Sequence, residues 1–153
     1  MNNEINLVRG DINNLNDIQE LWEELNQHHL EKSYDFKQHY KDFTFSERKE
    51  SLINYAEKGK LFIVIAYHES EKIGYCVASV VDRTGEIDSI YIKAGYRKNH
   101  VGNILMEAAL GWIRSFDTKK IIVKVAAGNE EVFGFYSKYG FAPRLTELQI
   151  NPY

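Results

Sequence analysis

Residues 86–102 read EIDSIYIKAGYRKNHVG, and this stretch decides the fold. Residues 86–92 are rich in isoleucine and predict a strand, whereas the polar residues 93–99 predict a loop. Apolar residues then recur at helical spacing from Val101, so residues 101–116 predict a helix. A strand, a loop and a helix therefore follow one another within one short segment.

The start of that helix is suited to an anion. The first-turn N–H groups of a helix lack intrahelical acceptors, and the helix dipole places partial positive charge there. Arg97, Lys98 and Gly102 lie beside those groups, a combination that favours a diphosphate. An ordinary basic loop before a surface helix explains the same residues, and spacing alone leaves both interpretations open.

The flanking segments predict the remaining elements. Residues 60–67 and 73–81 are rich in Ile and Val and predict two strands joined as a hairpin. The others are a strand at 5–9, helices at 15–27 and 45–58, a loop with partial helix at 32–43, a strand at 120–125, a short helix at 129–139 and a strand at 144–150. Thr44 and Glu47 predict a capping box, and Gly59 and Gly140 predict helix C-termini.

This order predicts an α/β fold with a mixed, mostly antiparallel sheet. Three hairpin-linked strands followed by a strand–helix–strand crossover place helices on both faces of the sheet. Where two neighbouring strands of such a sheet diverge, a cleft forms that suits a ligand. At 153 residues, we expect a single domain over residues 1–153.

Composition restricts the class of protein. The net charge of −3 argues against a broad nucleic-acid-binding face, which needs an excess of Lys and Arg. Cys76 is the single cysteine, so an intrachain disulfide is excluded and a reducing compartment is favoured. The N-terminus lacks the basic and apolar regions of a signal peptide, and no run of about 18 apolar residues predicts a membrane span. We expect a cytoplasmic domain with no membrane or nucleic-acid partner.

Two blocks resemble a known family. Residues 97–102, RKNHVG, resemble the acetyl-CoA motif Arg/Gln-x-x-Gly-x-Gly/Ala of the GNAT superfamily of acyl-CoA-dependent N-acetyltransferases. Asn129 with residues 135–141, FYSKYGF, resembles the family pattern Asn-x-x-Ala-x-x-Phe-Tyr-x-Lys-x-Gly-Phe. The two blocks occur in the family's order. His100 departs from the first motif glycine, and Val132 departs from the small Ala of the second block.

The resemblance implies a fold, a reaction and a binding site. It implies a GNAT-like fold in which acetyl-CoA enters the splay between the strands at 86–92 and 120–125. It also implies transfer of the acetyl group to a primary amine by direct attack through a tetrahedral intermediate, with no metal, and homodimers are common in the family. The implied cofactor-binding residues are Ile90, Tyr91, Ile92, Arg97, Lys98, Asn99, His100, Val101, Gly102, Asn103, Asn129 and Tyr136.

Three residues are implied as catalytic. An alkyl ammonium has a pKa of about 10.4, so a base must remove a proton before attack. Glu86 and Asp88 match positions of that base, share a strand face unless a bulge intervenes, and Glu86 is slightly favoured. Tyr136 matches the family's general acid, although a core tyrosine is the alternative. Asn129 is expected either to bind the cofactor arm or to cap a helix.

Other interpretations remain open. Adjacent helical residues point about 100° apart, so His28 and His29 make an improbable metal site and more simply border the acceptor pocket or face solvent. A non-catalytic acyl-CoA-binding sensor is the alternative function, and a domain that has lost its cofactor because of His100 is another. Polyamine, aminoglycoside, amino acid and peptide acceptors are all compatible with the sequence. The acidic residues that give a mild preference for a cationic amine are Glu23, Glu24, Glu31, Asp35 and Asp42.

Overall fold

The computed structural model describes residues 4–153, which contain one sheet in the order β1-β2-β3-β4-β5. The first four strands are antiparallel neighbours, whereas β4 and β5 run parallel. The strands are β1 (Ile5–Gly10), β2 (Lys60–His68), β3 (Glu71–Val81), β4 (Thr84–Ile92) and β5 (Lys120–Val123). The predicted α/β class and the mostly antiparallel mixed sheet are confirmed.

Helices cover both faces of the sheet. They are α1 (Gln19–Lys32), α2 (Lys37–Asp42), α3 (Phe45–Lys58), α4 (Val101–Arg114) and α5 (Phe133–Ser137). Short 3₁₀ segments, Ile12–Ile18 and Glu130–Val132, precede α1 and α5. Helices α1 and α3 pack on one face, and α4 packs on the other. Within residues 4–153, no helix combines the length and the apolar character that crossing a membrane demands.

Strand β2 shows why both faces are buried. Phe62, Val64 and Ala66 face α4, while Ile63 and Ile65 face α1 and α3. Because side chains alternate along a strand, a continuous apolar run supplies two cores at once. Each fully buried Ile or Leu in such a core contributes about 1.5–3 kcal/mol. These two cores fix β4 and α4, the elements that border the site.

The predicted start of α3 is confirmed. The Glu47 N–H donates to Thr44 Oγ1 at 3.2 Å, and the Thr44 N–H donates to Glu47 Oε1 at 3.4 Å. Gly59 occupies the predicted C-cap position, but its φ of −160° is extended rather than left-handed. A Cβ at Gly59 would lie 2.1 Å from the Val80 carbonyl oxygen. Close approach of two backbones, not a positive φ, therefore explains this glycine.

Gly59→Ala is expected to destabilise the protein by about 1–3 kcal/mol, the usual cost of forcing extra atoms into a packed site. The α3–β2 junction must move away from β3 to admit the methyl group. Urea unfolding measures the change. Gly111→Ala is the matched control, because Gly111 lies exposed in α4, where an added Cβ would meet no neighbouring group within 4 Å. Alanine there should raise the stability by about 0.5–1 kcal/mol, so equal losses for both variants would contradict the explanation.

Several predicted boundaries are wrong. Helix α1 continues to Lys32 rather than ending near residue 27, whereas the partial helix predicted within residues 32–43 is present as α2. Strand β5 ends at Val123 instead of residue 125, and the helix predicted at 129–139 is a 3₁₀ turn followed by α5. Gly140, predicted to end this helix, is left-handed with φ +93° but lies two residues beyond the C-cap, Lys138. Burial of one helix face against its neighbours, rather than local propensity, extends α1.

The strand predicted at residues 144–150 does not form. Residues 142–153 are exposed, and no hydrogen bond within the described chain reaches the backbone of residues 142–150. The Asn151 side chain donates to the Asp35 carbonyl oxygen at 2.7 Å, so the segment leads away from the sheet. An alternating pattern needs a partner strand, and none lies beside this segment in the single chain.

Candidate active site

The cleft predicted between two diverging strands lies between β4 and β5. Their parallel pairing starts at Thr84 and Lys120 and stops at Ile87 and Val123, while β4 continues to Ile92 paired only with β3. The register between β3 and β4 shifts at the same place, because Ala78 pairs with Ile87 and Val77 pairs with Ser89. Asp88 is thus the extra residue of a β-bulge, which bends a strand away from its neighbour.

A cavity of about 600 Å³ fills this splay. One wall comes from the free edge of β4, residues 88–92, and the opposite wall from residues 123–126 after the end of the pairing. Gly102, Phe135 and Tyr136 close the α4 and α5 side. The side toward α1, α2 and α3 is lined by Trp22, Leu25, Asn26, His28, His29, Tyr40, Phe43 and Arg48.

The turn before α4 is open to solvent. Residues 97–100 are exposed, and His100 is left-handed with φ 60° and ψ 16°. The N–H groups of residues 100–103 have no acceptor in the described part of the chain. Arg97 Nε donates to the Ile92 carbonyl at 3.0 Å, and its guanidinium lies 5.5 Å from the centre of the Tyr91 ring. A cluster of free N–H groups with adjacent positive charge can hold an anion.

His100 supplies a test of this turn. His100→Gly should retain or raise stability, by up to about 1 kcal/mol, because glycine adopts the left-handed conformation without strain. His100→Val should lower it by about 1–2 kcal/mol, since a β-branched residue fits that conformation poorly. Thermal unfolding of both variants gives the comparison. A valine variant as stable as the glycine variant would show that the turn is not left-handed.

Asp88 is a buried carboxylate in the cavity wall. Neither of its oxygens accepts a hydrogen bond of normal geometry, although the Ser79 hydroxyl is near enough to lower its pKa. The pKa of Asp88 is raised from 3.8 to about 7, chiefly by burial, with Ser79, Arg48 and Lys124 lowering it and Glu86 raising it. Arg48 Nη2 donates to the Asp88 carbonyl oxygen at 2.7 Å, so the guanidinium is fixed beside this bulge.

Glu86 lies outside the cavity lining. Its side chain is largely buried, and its Oε2 is 3.9 Å from Lys124 Nζ. The bulge between Ile87 and Ser89 breaks the strand alternation that would place Glu86 and Asp88 on one face. Of the two carboxylates, Asp88 is the one that borders the cavity.

Tyr136 is buried and borders the cavity from α5. Its ring contacts those of Phe135 and Phe141 edge-on, with centroids 5.3 and 5.8 Å away. No hydrogen bond to its hydroxyl from residues 4–153 contributes to its pKa. Burial, with a smaller effect from Cys76, raises the pKa of Tyr136 well above its ordinary value. The phenol therefore stays protonated and is available as a donor.

Asn129 connects the two sides of the cavity. Its buried side chain does not cap the following 3₁₀ turn, and its Oδ1 lies 3.1 Å from His28 Nε2. Gly128, with φ +100°, brings this loop against the end of α1, since a Cβ there would lie 2.1 Å from the Lys32 carbonyl oxygen. The capping alternative for the Asn129 side chain is therefore wrong.

The predicted site residues divide into three groups. Glu86 forms the first group: it lies outside the cavity lining, with its carboxylate beside Lys124. Lys98, Asn99, His100 and Asn103 belong to the turn and the first turn of α4, and Val101 is fully buried in the core. The predicted residues that line the cavity are Asp88, Ile90, Tyr91, Ile92, Arg97, Gly102, Asn129 and Tyr136.

The sequence did not predict most of the residues of α1, α2 and α3 that line the cavity. His28 and His29 border the cavity, as one interpretation of the pair predicted. Burial, together with His28, lowers the pKa of His29 to about 4, so this ring is neutral. Across residues 4–153, no three His, Cys, Asp or Glu side chains cluster closely enough to hold a metal ion. The missed aromatic residues follow no periodicity that would single them out from the core.

A second, acidic cavity of about 490 Å³ adjoins the first. His28, Tyr91 and Arg97 line both. The carboxylates of the second cavity all come from α1: Glu20, Glu23, Glu24 and Glu31. Asp35 and Asp42, which the sequence groups with them, do not line it. The opening beside the main cavity thus has a negative potential that attracts cations.

The sequence profile described as "Acetyltransferase (GNAT) family" matches residues 17–141. The chain is 25% identical over 88 residues to a Bacillus subtilis (strain 168) protein named as an acetyltransferase, covering 58% of each. It is 30% identical over 70 residues to a protein of the same strain named as a ribosomal protein bS18-alanine N-acetyltransferase, covering 46% of each. The matches thus span about half the length of these relatives.

A solved structure shares the fold. The PaiA N-acetyltransferase of Thermoplasma acidophilum, solved in complex with coenzyme A, superposes with a TM-score of 0.75. The match covers 94% of this chain and 93% of that chain, at 20% sequence identity. At this identity the similarity shows a shared fold, that is, the same arrangement of strands and helices.

Proposed function

The chain belongs to the GNAT family of acetyltransferases, and from that membership we propose that it moves the acetyl group of acetyl-CoA onto a primary amine. The observation that carries the proposal is the splay after Ile87 and Val123, with an open anion-binding turn at one end and Asp88 and Tyr136 in its walls. The coenzyme A in the Thermoplasma protein supports the same ligand here.

The turn at residues 97–103 fits the pyrophosphate of the cosubstrate. The N–H groups of residues 100–103 donate to its oxygens, and Lys98 and Arg97 add positive charge. The β5 side of β4 accepts the pantetheine arm in the manner of an added strand, because no strand pairs with β4 on that side beyond Ile87. The ring of His100 is exposed, and its Nδ1 lies 3.4 Å from Asn103 Nδ2, so the imidazole borders the proposed pyrophosphate site.

An edge N–H near Tyr91 or Ile92 is placed to stabilise the reaction. The cosubstrate supplies a thioester, whose carbonyl carbon is open to attack by a neutral amine. A fixed backbone donor stabilises the negative charge that develops on the carbonyl oxygen, which is typically worth about 2.7–4 kcal/mol. Tyr91 and Ile92 lie on the part of β4 beyond its pairing with β5.

Asp88 is the proposed general base. With a pKa of about 7 it is half ionised near neutral pH, whereas an ordinary aspartate would be too weak a base. The ionised carboxylate attracts the ammonium form of the acceptor and takes its proton, directly or through a water. Glu86 is the second candidate, held beside Lys124 outside the cavity lining.

Tyr136 is the proposed general acid. Its hydroxyl donates a proton to the thiolate that leaves when the C–S bond breaks. A phenol whose pKa is raised gives up its proton uphill, so the transfer must accompany bond cleavage rather than precede it. No hydrogen bond to another described residue competes for the Tyr136 hydroxyl, so it is free to donate to the thiolate.

The acceptor is proposed to be a cationic amine. The α1 carboxylates surround the opening that joins the main cavity at His28, Tyr91 and Arg97. A negative potential there concentrates cations near Asp88 and speeds their entry. Small-molecule amines and peptide amines both satisfy this condition.

One experiment separates the proposed function from its two alternatives. Millimolar coenzyme A should raise the melting temperature, and release of free thiol from acetyl-CoA should be observed with at least one amine of a panel of polyamines, aminoglycosides, amino acids and peptides. Binding without turnover across the panel would support the sensor. Absence of a thermal shift would support loss of the cofactor site, and either outcome would overturn the proposal.

A further inference from the structure

Arg48 brings a positive charge into the wall of the main cavity. It lies near the start of α3, and its Nη2 donates to the Asp88 carbonyl oxygen at 2.7 Å. A guanidinium has several N–H donors, and within residues 4–153 the bond to Asp88 is the one hydrogen bond that the Arg48 side chain makes. No carboxylate of the described chain forms an ion pair with it. Arg48 therefore keeps N–H donors and a positive charge available for a ligand.

The other basic side chains of the cavity wall lie away from the acceptor side. Lys124 Nζ lies 3.9 Å from the Glu86 carboxylate. Arg97 belongs to the turn before α4 and donates to the Ile92 carbonyl oxygen. Within residues 4–153, Arg48 is the one lysine or arginine that lines the side toward α1, α2 and α3. A negatively charged group of the acceptor would therefore meet its counter-charge at Arg48.

The wall around Arg48 is mostly apolar. Trp22 and Phe43 line it, with their ring centroids 5.4 Å apart in an edge-on contact. Leu25 and Tyr40 extend the same surface. Because apolar walls exclude water, a charge-assisted hydrogen bond formed here is stronger than one in solvent. The same surface suits an apolar side chain of the acceptor.

The cavity and its acidic opening carry charges of opposite sign. Arg48 lines the main cavity but not the acidic cavity, whose carboxylates come from α1. A molecule with several ammonium groups is attracted at the opening and repelled beside Arg48. A zwitterion has one ammonium group for the acidic residues and one carboxylate for Arg48, and it carries no net charge. The charge distribution therefore favours a zwitterion over a polycation.

We propose that the acceptor is an α-amino acid with an apolar side chain, whose carboxylate binds Arg48 and whose amine faces Asp88. This inference rests on the proposed function and narrows its acceptor. Arg48 contacts the carbonyl group of Asp88, so its guanidinium lies close to the carboxyl group of the same residue. One carbon atom separates the amine of an α-amino acid from its carboxylate, so both groups are engaged together. A guanidinium holds a carboxylate through parallel N–H···O bonds, which fixes the direction of the amine.

The reaction then yields an N-acetyl amino acid. The ammonium proton passes to Asp88, and the amine nitrogen attacks the thioester carbonyl carbon. A C–N bond forms, the C–S bond breaks, and Tyr136 supplies the proton that makes the leaving thiolate a thiol. Arg48 forms no bond to the reacting atoms, so it determines specificity and position.

Paired acceptors test the need for a carboxylate. Leucine and leucinamide share a side chain and an amine, but the amide lacks the negative charge, and phenylalanine and phenylalaninamide form a second pair. In Arg48→Gln, the kcat/KM of the acid divided by that of its amide should fall by about 10- to 100-fold, the usual worth of a charge-assisted hydrogen bond. A changed pKa of Asp88 affects both acceptors, and the different basicity of the two amines affects both proteins. Both effects therefore cancel in this comparison.

Two further variants control for charge and for folding. Arg48→Lys keeps the charge without the paired donors and should retain part of the preference for the acid. Lys49→Gln removes the neighbouring positive charge of α3, whose Nζ donates to Asn16 Oδ1 at 2.8 Å outside the cavity lining, and should leave the ratio unchanged. Thermal unfolding establishes that each variant is folded. An unchanged ratio in Arg48→Gln, or an equal fall in Lys49→Gln, would overturn the proposal.

The failure of this inference differs from the failure of the proposed function. Transfer to amines that lack a carboxylate, without transfer to leucine or phenylalanine, would overturn the Arg48 site and leave the acetyltransferase activity intact. If no acceptor is acetylated, calorimetric titration of leucine and phenylalanine into the coenzyme A-loaded chain decides. Binding that Arg48→Gln weakens by about tenfold or more would support the carboxylate site on its own. No binding of either amino acid at millimolar concentration would overturn it.

Discussion

Asp88→Asn is expected to lower kcat/KM for the acceptor amine by about 10²- to 10⁴-fold, the usual effect of losing a general base. The amide retains the size of the side chain but does not accept the proton of the ammonium group. Coenzyme A affinity should remain unchanged, because Asp88 lies in the bulge of β4 and not at the turn before α4. Steady-state kinetics and calorimetric titration with coenzyme A separate the two quantities.

The pH profile identifies Asp88 as the titrating group. In the unmodified enzyme, kcat/KM should rise through pH values near the Asp88 pKa of about 7, as the carboxyl becomes ionised. The rise should be absent from Asp88→Asn. Glu86→Gln is the control, since Glu86 lies outside the cavity lining: it should keep most of the activity and the rise, moved to lower pH because Glu86 raises the pKa of Asp88. An unchanged profile in Asp88→Asn, or its loss in Glu86→Gln, would reverse the assignment.

The pH dependence of the free energy of unfolding tests whether Asp88→Asn is correctly folded. The folded-state pKa of about 7 exceeds the ordinary 3.8, so the folded protein holds the proton more tightly than the unfolded chain. The unmodified protein should therefore lose stability as pH rises from about 4 to about 7, by roughly 4 kcal/mol in total at 1.36 kcal/mol per pKa unit. Asp88→Asn should lack this loss and be the more stable protein at pH 8. An inactive but stabilised variant cannot be explained by misfolding.

Local periodicity was sufficient to predict the strands β2 to β4 and the helix α4. Their apolar residues recur with the period of the element, and both faces of the sheet are covered, so pattern and burial agree. The turn before α4 was also predictable, because its function depends on backbone N–H groups and basic residues that adjoin in sequence. His100 shows the limit, since the sequence names the residue but not its left-handed conformation.

Features that depend on contacts between distant segments were not predictable. The bulge that separates Asp88 from Glu86 arises from the register between β3 and β4, which the sequence of β4 alone does not contain. The acceptor side of the cavity assembles α1, α2 and α3, whose aromatic residues resemble ordinary core positions. Residues 144–150 were predicted as a strand, but no strand of the described chain lies beside them as a partner.

Tyr136→Phe is expected to lower kcat by about 10²-fold or more, the usual effect of losing a general acid. Phenylalanine keeps the ring packing against Phe135 and Phe141, and removes the hydroxyl that faces the cavity. Because that hydroxyl has no partner among the described residues, its removal leaves no unsatisfied group, and the melting temperature should stay the same or rise. Rapid-quench measurement of acetyl transfer with saturating amine reports the chemical step directly.

Tyr139→Phe is the matched control for Tyr136→Phe. The Tyr139 hydroxyl donates to Asn103 Oδ1 and does not line the cavity, so its loss removes a structural hydrogen bond rather than a proton donor. We expect Tyr139→Phe to cost about 0.5–1.5 kcal/mol of stability and little of the transfer rate. The two variants should thus show opposite patterns, one losing rate and the other losing stability. If Tyr136→Phe transferred acetyl groups at the rate of the unmodified enzyme, protonation of the leaving thiolate would have to come from solvent, and the buried phenol would have only a packing role.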